Sequence, residues 1–402
     1  MDSKKQFSDL SYVLTKKLDK EEKKKYGIYF TPKDTIILTL QLLKPYIKNI
    51  KTILEPSCGS GEYIKLLNKQ IKNCNITGIE YNKIIYDSIQ ESIKGDNINL
   101  INQDYLQYET DVTFDLIIGN PPYFVMKKND TDNKYYQYFE GRPNIFIPFI
   151  IKSLKLLKKD GILSFVLPKS FINCLYYDKT RNYINKNYKI LHIVDCNDSY
   201  IDTKQETIII IIQNKQGDNK EFLLEINNFT ILGSKENILD IKKLYINSTS
   251  LFQEDFVVNV GNIVWNQCKD ILSDDNNKTR LIYSSDISKN ELILNNYKNK
   301  EKKNFINKKG NLTPILVINR GYGVGKYNFE YCLIRNINYL IENHLICIKY
   351  TKSITDEKLI EKYYKIIDSL NNEKTKKFIK IYFGNSAINT TELKYILPFY
   401  DI

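Results

Sequence analysis

The residues of this chain best suited to do chemistry are Asn120-Pro121-Pro122-Tyr123. They follow a short apolar run, Phe114 to Gly119, that reads as a buried strand. An amino group conjugated to an aromatic ring is a poor nucleophile, because its lone pair is delocalised. Two hydrogen-bond acceptors can draw its N–H groups out of plane and restore lone-pair character. The side-chain oxygen of Asn120 is one such acceptor, and the backbone carbonyl of Pro121 is the other. Two successive prolines stiffen the loop and fix the direction of that carbonyl. Tyr123 adds a flat face on which a base can stack. Acceptors aimed at charge that develops on the amino nitrogen favour the transition state over the ground state.

Upstream lies a second segment, Ile53-Leu54-Glu55-Pro56-Ser57-Cys58-Gly59-Ser60-Gly61, followed by a helical stretch from Glu62 to Gln70. A glycine turn at a helix N-terminus lets backbone come close to a ligand. The pattern is not the dinucleotide fingerprint G-x-G-x-x-G. Glu80 closes the next strand, where a carboxylate can accept from both hydroxyls of a ribose. One strand further, Asp104-Tyr105 is placed to bind an adenine amino group and cover its ring. Glu55, Glu80, Asp104 and Asn120 thus stand in order, each at a strand end. Together the two segments suggest one reaction. The glycine loop holds S-adenosyl-L-methionine, and the loop at Asn120 presents a planar amino group to its methyl.

The elements that must position these residues alternate. Strands are predicted at 51–55, 75–80, 97–101, 114–119, 161–167, 189–195 and 206–213. Helices are predicted at 62–71, 82–93, 144–158 and 175–185. Alternation of this kind means an α/β class with a mainly parallel sheet and helices on both faces. Ligands in such sheets bind beyond the carboxyl ends of the strands, where both loops fall. Residues 1–25 read as helical and solvated. A distinct loop, Tyr26 to Pro32, precedes an amphipathic helix to about Tyr46. After about residue 235 apolar runs shorten and Asn/Lys/Ser-rich stretches separate them. Two domains are therefore expected, 1–240 and 241–402, the second of mixed α and β. The stretch Asn295 to Lys309 reads as a mobile, lysine-rich loop. No internal repeat is evident.

Composition adds bounds. The chain has 402 residues and a net charge of +12. Residues 241–402 carry 25 Lys+Arg against 17 Asp+Glu, and residues 1–240 carry 34 against 30. The second part is the more basic, as expected if it lies on nucleic acid. Only five basic residues are Arg, namely Arg142, Arg181, Arg280, Arg320 and Arg335. Seven cysteines without a C-x-x-C pair, and two histidines, argue against a zinc site or disulfide framework and for a reducing compartment. Met1 to Lys25 is polar and lysine-rich, unlike a signal peptide. The longest aliphatic run, Ile208 to Ile212, is too short to span a bilayer. A cytoplasmic protein is expected, with no metal and no membrane partner.

On these residues the chain resembles the N6-adenine DNA methyltransferases of the gamma motif order, whose familiar member is the TaqI-type enzyme. The resemblance implies a Rossmann-like S-adenosylmethionine-dependent sheet followed by an α+β target-recognition domain. Phe30-Thr31-Pro32 matches the N-terminal motif, whose Thr meets the methionine end of the cofactor. Glu55, Pro56, Ser57, Cys58, Gly59 and Gly61 match the methionine-binding loop. Glu80 with Tyr81 matches the ribose site, and Asp104 with Tyr105 the adenine site. Asn120, Pro121, Pro122 and Tyr123 match the catalytic motif, with Asn120 and Pro122 also facing the cofactor. Phe146 lies in the following helix, and Leu167 to Phe171 fits a later motif. The family has an aromatic on the far face of a flipped-out base. Tyr176 and Tyr177 are the candidates, and Tyr177 is the better spaced.

Val258 to Gln267, Thr279-Arg280-Leu281-Ile282-Tyr283 and Thr313 to Gly323 resemble parts of the recognition domain. Arg142, Arg280 and Arg320 are the candidates for contacting DNA. One departure stands out: Gly59-Ser60-Gly61 matches the wider group and not the TaqI-type enzyme itself. The resemblance implies methylation of a flipped adenine in double-stranded DNA by a monomer that holds DNA in a cleft between its domains. It is either the modification component of a restriction-modification system with a separately encoded endonuclease, or an orphan methylase.

Three alternatives stay open at the level of sequence. An amino-methyltransferase acting on RNA or on a protein glutamine uses the same loop, yet such enzymes typically lack a second basic domain. A catalytically inert DNA-binding subunit is opposed by the intact acids at 55, 80 and 104 and the intact catalytic loop. N4-cytosine methylation usually goes with Ser where Asn120 stands.

Overall fold

The computed structural model describes residues 6–196, 200, 203, 205–320, 330–383 and 388–402. Two compact units divide the chain, Met1–Ile238 and Leu239–Ile402.

The first unit is built on seven strands: β1 (Thr52–Glu55), β2 (Asn75–Glu80), β3 (Ile98–Asn102), β4 (Phe114–Gly119), β5 (Leu157–Pro168), β6 (Lys189–Cys196) and β7 (Thr207–Gln213). Their order is β3-β2-β1-β4-β5-β7-β6, parallel except for β7, which runs antiparallel to both neighbours. The helices are α1 (Asp9–Lys17), α2 (Lys20–Tyr26), α3 (Lys33–Leu43), α4 (Glu62–Gln70), α5 (Lys83–Ser92), α6 (Phe146–Lys155) and α7 (Asp178–Asn187). All seven predicted strands and four predicted helices are present, within a few residues at most ends. The fold is α/β and Rossmann-like.

A sheet covered on both faces has no polar side, so its strands read as unbroken apolar runs. In β7, Ile208, Ile210 and Ile212 join one buried cluster with Leu54, Ile117 and Phe165, packed against Phe146, Ile150 and Leu154 of α6. Ile209 and Ile211 join the other with Ile53, Leu116 and Val166, packed against α3, α4 and α5 through Leu43, Leu67 and Ile89. Strand order reverses between β1 and β4, so their carboxyl ends diverge and open a crevice. Glu55, Glu80 and Gly119 stand at those ends.

Three sequence expectations need correction here. The N-terminal helices are not simply solvated: Phe7, Leu14 and Leu18 are buried in the core, and Lys23 is buried with its ammonium on the Thr15 carbonyl. The helix expected over 144–158 stops at Lys155, because Leu157 already pairs with Phe114 as the first residue of β5. Beyond β7, sequence reading missed a hairpin of β8 (Leu223–Ile226) and β9 (Phe229–Leu232). Its turn is Asn227-Asn228, both left-handed at φ 47° and 68°, which suits the twist of paired strands.

The second unit contains two four-stranded sheets. One orders Phe256–Val260, Leu345–Tyr350, Ile315–Asn319 and Tyr331–Ile334, and the other Leu272–Ser273, Phe305–Ile306, Thr279–Ile282 and Tyr339–Ile341. Two helices follow, Asp356–Asn371 and Glu373–Tyr382. The segment expected to be a mobile loop is tied down. Phe305–Ile306 is a strand, the Tyr283 hydroxyl donates to the Lys303 carbonyl at 2.9 Å, and Asn304 Nδ2 donates to the Asn295 carbonyl at 2.9 Å. Gly321-Tyr322-Gly323, expected in a turn, lie outside the described residues. No helix among the described residues is long and apolar enough to cross a membrane.

Candidate active site

A cavity of about 410 Å³ opens at the diverging strand ends. Its walls are the 26–30 segment, the ends of β1, β2 and β4, the turn after β3, and α6. A smaller cavity of about 40 Å³ shares Tyr29, Phe30, Ser57, Gly59 and Asn120 with it, and so marks the same site's other end. Pro56, Glu80, Tyr81, Asp104, Tyr105 and Pro122 border the larger cavity, while Thr31, Glu55 and Cys58 border the smaller. Pro32 instead caps α3, and Gly61 caps α4 in the left-handed region at φ 73°.

The carboxamide of Asn120 has a defined orientation. Its Nδ2 donates to the Tyr29 carbonyl at 3.1 Å, and its Oδ1 accepts from the Tyr123 hydroxyl. A carbonyl can only accept, so the nitrogen must face Tyr29 and the oxygen the opposite way. The Tyr123 hydroxyl also lies 2.8 Å from the Val166 carbonyl. Burial holds the Tyr123 phenol far above its usual pKa, so it stays a donor. Ser57 Oγ donates to the Asn120 carbonyl at 3.1 Å, which joins the glycine loop to the catalytic loop.

The Tyr29 carbonyl was not visible as a site group in the sequence, because a backbone group has no residue type. Its placement depends on Gly27, the left-handed C-cap of α2 at φ 63°. A Cβ on Gly27 would stand 2.5 Å from the Tyr123 backbone nitrogen. Only glycine lets the chain leave α2 so close to the catalytic loop. Phe30 then lies over the glycine turn, its ring 3.6 Å from where a Gly59 Cβ would be.

The acids at the strand ends are buried, and one of them is incompletely satisfied. Glu80 accepts from the backbone N–H of Gly59 at 2.9 Å and of Asn82 at 2.8 Å, one on each oxygen. Burial nevertheless pushes its pKa up to about 7. Glu55 is 3% exposed, and its Oε2 has no hydrogen-bond partner. Burial, then the charges of Glu62 and Glu80, raise its carboxyl well above the usual range. The Cys58 thiol is likewise pushed up, by burial first, which leaves it neutral and not a nucleophile. A buried carboxylate oxygen without a donor is costly unless something supplies one.

The adenine end departs from expectation. Asp104 caps the turn Tyr105–Gln107 by accepting from the Leu106 N–H at 2.9 Å. Tyr105 borders the cavity, but its side chain belongs to the core: it is 2% exposed, lies 4.8 Å from the Phe149 ring and bonds Ser153 Oγ at 2.9 Å. The apolar side chains lining the cavity there include Leu106, Ile145, Pro148 and Phe149, none of them anticipated. Lys152 of α6 fixes the turn by donating to the carbonyls of Tyr105 and Leu106, at 2.7 and 3.1 Å, and of Tyr108.

Tyr123 and Tyr177 meet the same ring. Phe146 lies edge-on to Tyr123 at 6.2 Å and to Tyr177 at 5.0 Å. Tyr177 is buried, whereas Tyr176 is 56% exposed beside Gly141. Arg181, fully buried, holds this segment by donating to the carbonyls of Phe171 and Cys174 at 2.9 and 2.7 Å. Among the arginine candidates, Arg142 is exposed and Arg320 is half-buried at the end of a strand. Arg280 is corrected. It is 8% exposed, and its guanidinium is spent on Asp286 at 3.1 Å, on Asn304 and on the Ile293 carbonyl. Its charge is needed inside the second unit and is not offered to a base.

Comparison with known proteins finds these likenesses. The family model described as Eco57I restriction-modification methylase matches residues 6–201. Modification methylase CviBIII of Paramecium bursaria Chlorella virus NC1A is 27% identical over 402 residues, covering 97% of this chain and 98% of that protein. Type II methyltransferase M.CvrRI of Paramecium bursaria Chlorella virus XZ-6E is 27% identical over 403 residues, covering 98% and 99%. Among solved structures, the N-methyltransferase NodS of Bradyrhizobium japonicum WM9 with S-adenosyl-L-homocysteine is 17% identical, with a TM-score of 0.33, covering 52% of this chain and 99% of that one.

The residues present fit S-adenosyl-L-methionine. Glu80 offers charged acceptors to a ribose, Glu55 an orphaned acceptor to a cation, and the apolar wall from Leu106 to Phe149 a slot for a flat base. The sheet order, with its antiparallel β7, opens the crevice at its switch point, and the cofactor its lining fits is S-adenosyl-L-methionine.

Proposed function

We propose that this protein is a DNA modification methyltransferase that transfers a methyl group to the N6 amino group of an adenine flipped out of double-stranded DNA. The observation that carries this reading is the fixed carboxamide of Asn120, on the wall of the cofactor cavity. Bound S-adenosyl-L-methionine supplies an electrophilic methyl. Asn120 Oδ1 and the Pro121 carbonyl accept the two N–H groups of the target and sharpen its lone pair. The Tyr123 hydroxyl has one proton and two acceptors, Oδ1 and the Val166 carbonyl. When the target takes Oδ1, the hydroxyl keeps a partner in Val166. Tyr123 and Tyr177, both packed on Phe146, flank the target base.

DNA as the substrate rests on the printed names of the relatives, which are modification methylases and Type II methyltransferases. It rests also on the surplus of basic residues in 241–402. Flipping follows from chemistry, since an amino nitrogen inside a duplex is out of reach. The protein would act as a monomer whose second unit, 239–402, reads the sequence.

The test is nucleoside mass spectrometry with long-read sequencing of DNA from a methylation-free host expressing the protein. N6-methyladenine at one short sequence is expected. N4-methylcytosine, or methyl groups found only in RNA or protein, would overturn the reading. Enhanced fluorescence of 2-aminopurine at the target position would report flipping, and an unchanged signal at saturation would count against it.

A further inference from the structure

Two acids, Glu55 and Glu62, line the 40 Å³ cavity beside Phe30, among hydroxyl-bearing residues that include Ser57 and Ser60. Its volume suits one small group, well above the minimum for a water. Two buried carboxylate oxygens in it have no hydrogen-bond partner, Glu55 Oε2 and Glu62 Oε1. Glu62 is the first residue of α4, with Gly61 as its N-cap, so the turn that approaches the cofactor also delivers this second acid. Among the described residues the cation recorded against the pair is Lys65, whose Nζ stands 4.0 Å from Glu62 Oε1 on a partly exposed side chain. Two acids with free valences facing one small space suit a cationic donor.

We propose that Glu62 completes, with Glu55, a two-carboxylate clamp for the ammonium of the cofactor's amino-acid end, and that the clamp sheds a proton when that ammonium arrives. The inference rests on S-adenosyl-L-methionine as the cofactor and adds a residue and a proton balance to it. The groups facing Glu55 are Glu62 of α4, Glu80 of β2, Cys58 and Tyr63, together with the Ile64 backbone N–H that one of its oxygens accepts. Three acids face one another there with no basic side chain among those groups. Without a bound cation, the Glu55 carboxyl holds its proton to well above its ordinary range. An ammonium with three N–H donors favours the ionised form, so the O–H bond of Glu55 breaks and the proton goes to solvent. Affinity for the ammonium-bearing ligand therefore rises with pH, up to tenfold per unit, until the empty clamp is itself ionised.

Glu80 can also release a proton when ribose hydroxyls reach it, so the test is differential. S-adenosyl-L-homocysteine carries ribose and ammonium, whereas methylthioadenosine carries ribose without the amino acid. Calorimetry of each on the full chain near pH 7, in buffers of different ionisation enthalpy, gives the protons released. More release is expected with S-adenosyl-L-homocysteine than with methylthioadenosine, and the excess should vanish in Glu55→Gln. Glu62→Gln should bind S-adenosyl-L-homocysteine about tenfold more weakly, the loss of one charged hydrogen bond. It should bind methylthioadenosine as the parent does, which also certifies its fold. Equal release with both ligands, or a Glu62→Gln variant that binds S-adenosyl-L-homocysteine normally, would overturn the clamp while leaving the cofactor in place. Failure of the parent protein to bind either ligand would overturn the cofactor and the clamp together.

Discussion

Two buried charged sites in this protein are built in opposite ways. Around Arg280 the guanidinium's terminal nitrogens are paired within the second unit. Its guanidinium meets Asp286, Asn304 and Ile293, and Asp286 also accepts from the Tyr283 N–H, Asn295 and Tyr297. Around Glu55 the valences stay open, with orphaned oxygens of Glu55 and Glu62 beside a cavity and the carboxyl pKa values of Glu55 and Glu80 driven upward. Closed networks specify a fold; open ones wait for a ligand. The difference decides which buried charges to read as function.

The comparison is broken most easily at Arg280. Removing one partner of a buried pair leaves the other charged and unpaired, at about 3–5 kcal/mol. Arg280→Ala is therefore expected to destabilise the second unit by that amount in a denaturant melt, with sequence specificity unchanged in whatever protein remains folded. A stable variant with relaxed specificity at one base pair would return Arg280 to the DNA interface.

The open site makes the reverse prediction for pH. The Glu80 carboxyl has an ordinary value of 4.5 and a folded one of about 7. Below 4.5 both folded and unfolded chains hold the proton. As pH rises from there to about 7 the unfolded chain releases it first, so stability without cofactor should fall, by on the order of 3 kcal/mol. Glu55 acts in the same direction. Thermal melts from pH 4.5 to 7.5 should show this decline, with stabilisation by added cofactor growing over the same interval. Melts that improve with pH would place the paired form of these acids in the empty protein. Glu80→Gln should weaken cofactor binding by roughly tenfold or more, since charged acceptors to the ribose are lost. An unchanged dissociation constant would make Glu80 a support for the Gly59 turn alone.

A smaller effect is expected where backbone meets backbone. Gly27→Ala forces a left-handed residue with a Cβ against Tyr123, at about 1–2 kcal/mol for the conformation alone. Methyl transfer should slow more than cofactor binding weakens, because the Tyr29 carbonyl that orients Asn120 is displaced. Equal losses in both would mean that the segment serves the cofactor only.

Much of the catalytic unit was legible because its signals are side-chain patterns. The isoleucine run of β7 marks a strand buried on both faces, and Glu55, Glu80 and Asn120 mark strand ends around one crevice. What was not legible depends on backbone or on distant partners. Gly27 and the Tyr29 carbonyl act through the main chain. Tyr105 turns into the core because Ser153 and Phe149, more than forty residues away, receive it. The reading of Arg280 as a base contact failed because Asp286 lies across a turn six residues on. The lysines of 295–309 suggested a free loop because Tyr283 and Asp286, which pin it, lie outside that window.

The orientation of Asn120 is tested most directly by single-turnover methyl transfer with Asn120→Ala, measured beside its cofactor dissociation constant. A loss on the order of 10²–10³ in rate is expected, with cofactor affinity nearly intact, if the side chain aims one acceptor at the target nitrogen as proposed. A variant that transfers methyl groups at near the parent rate would contradict that role outright.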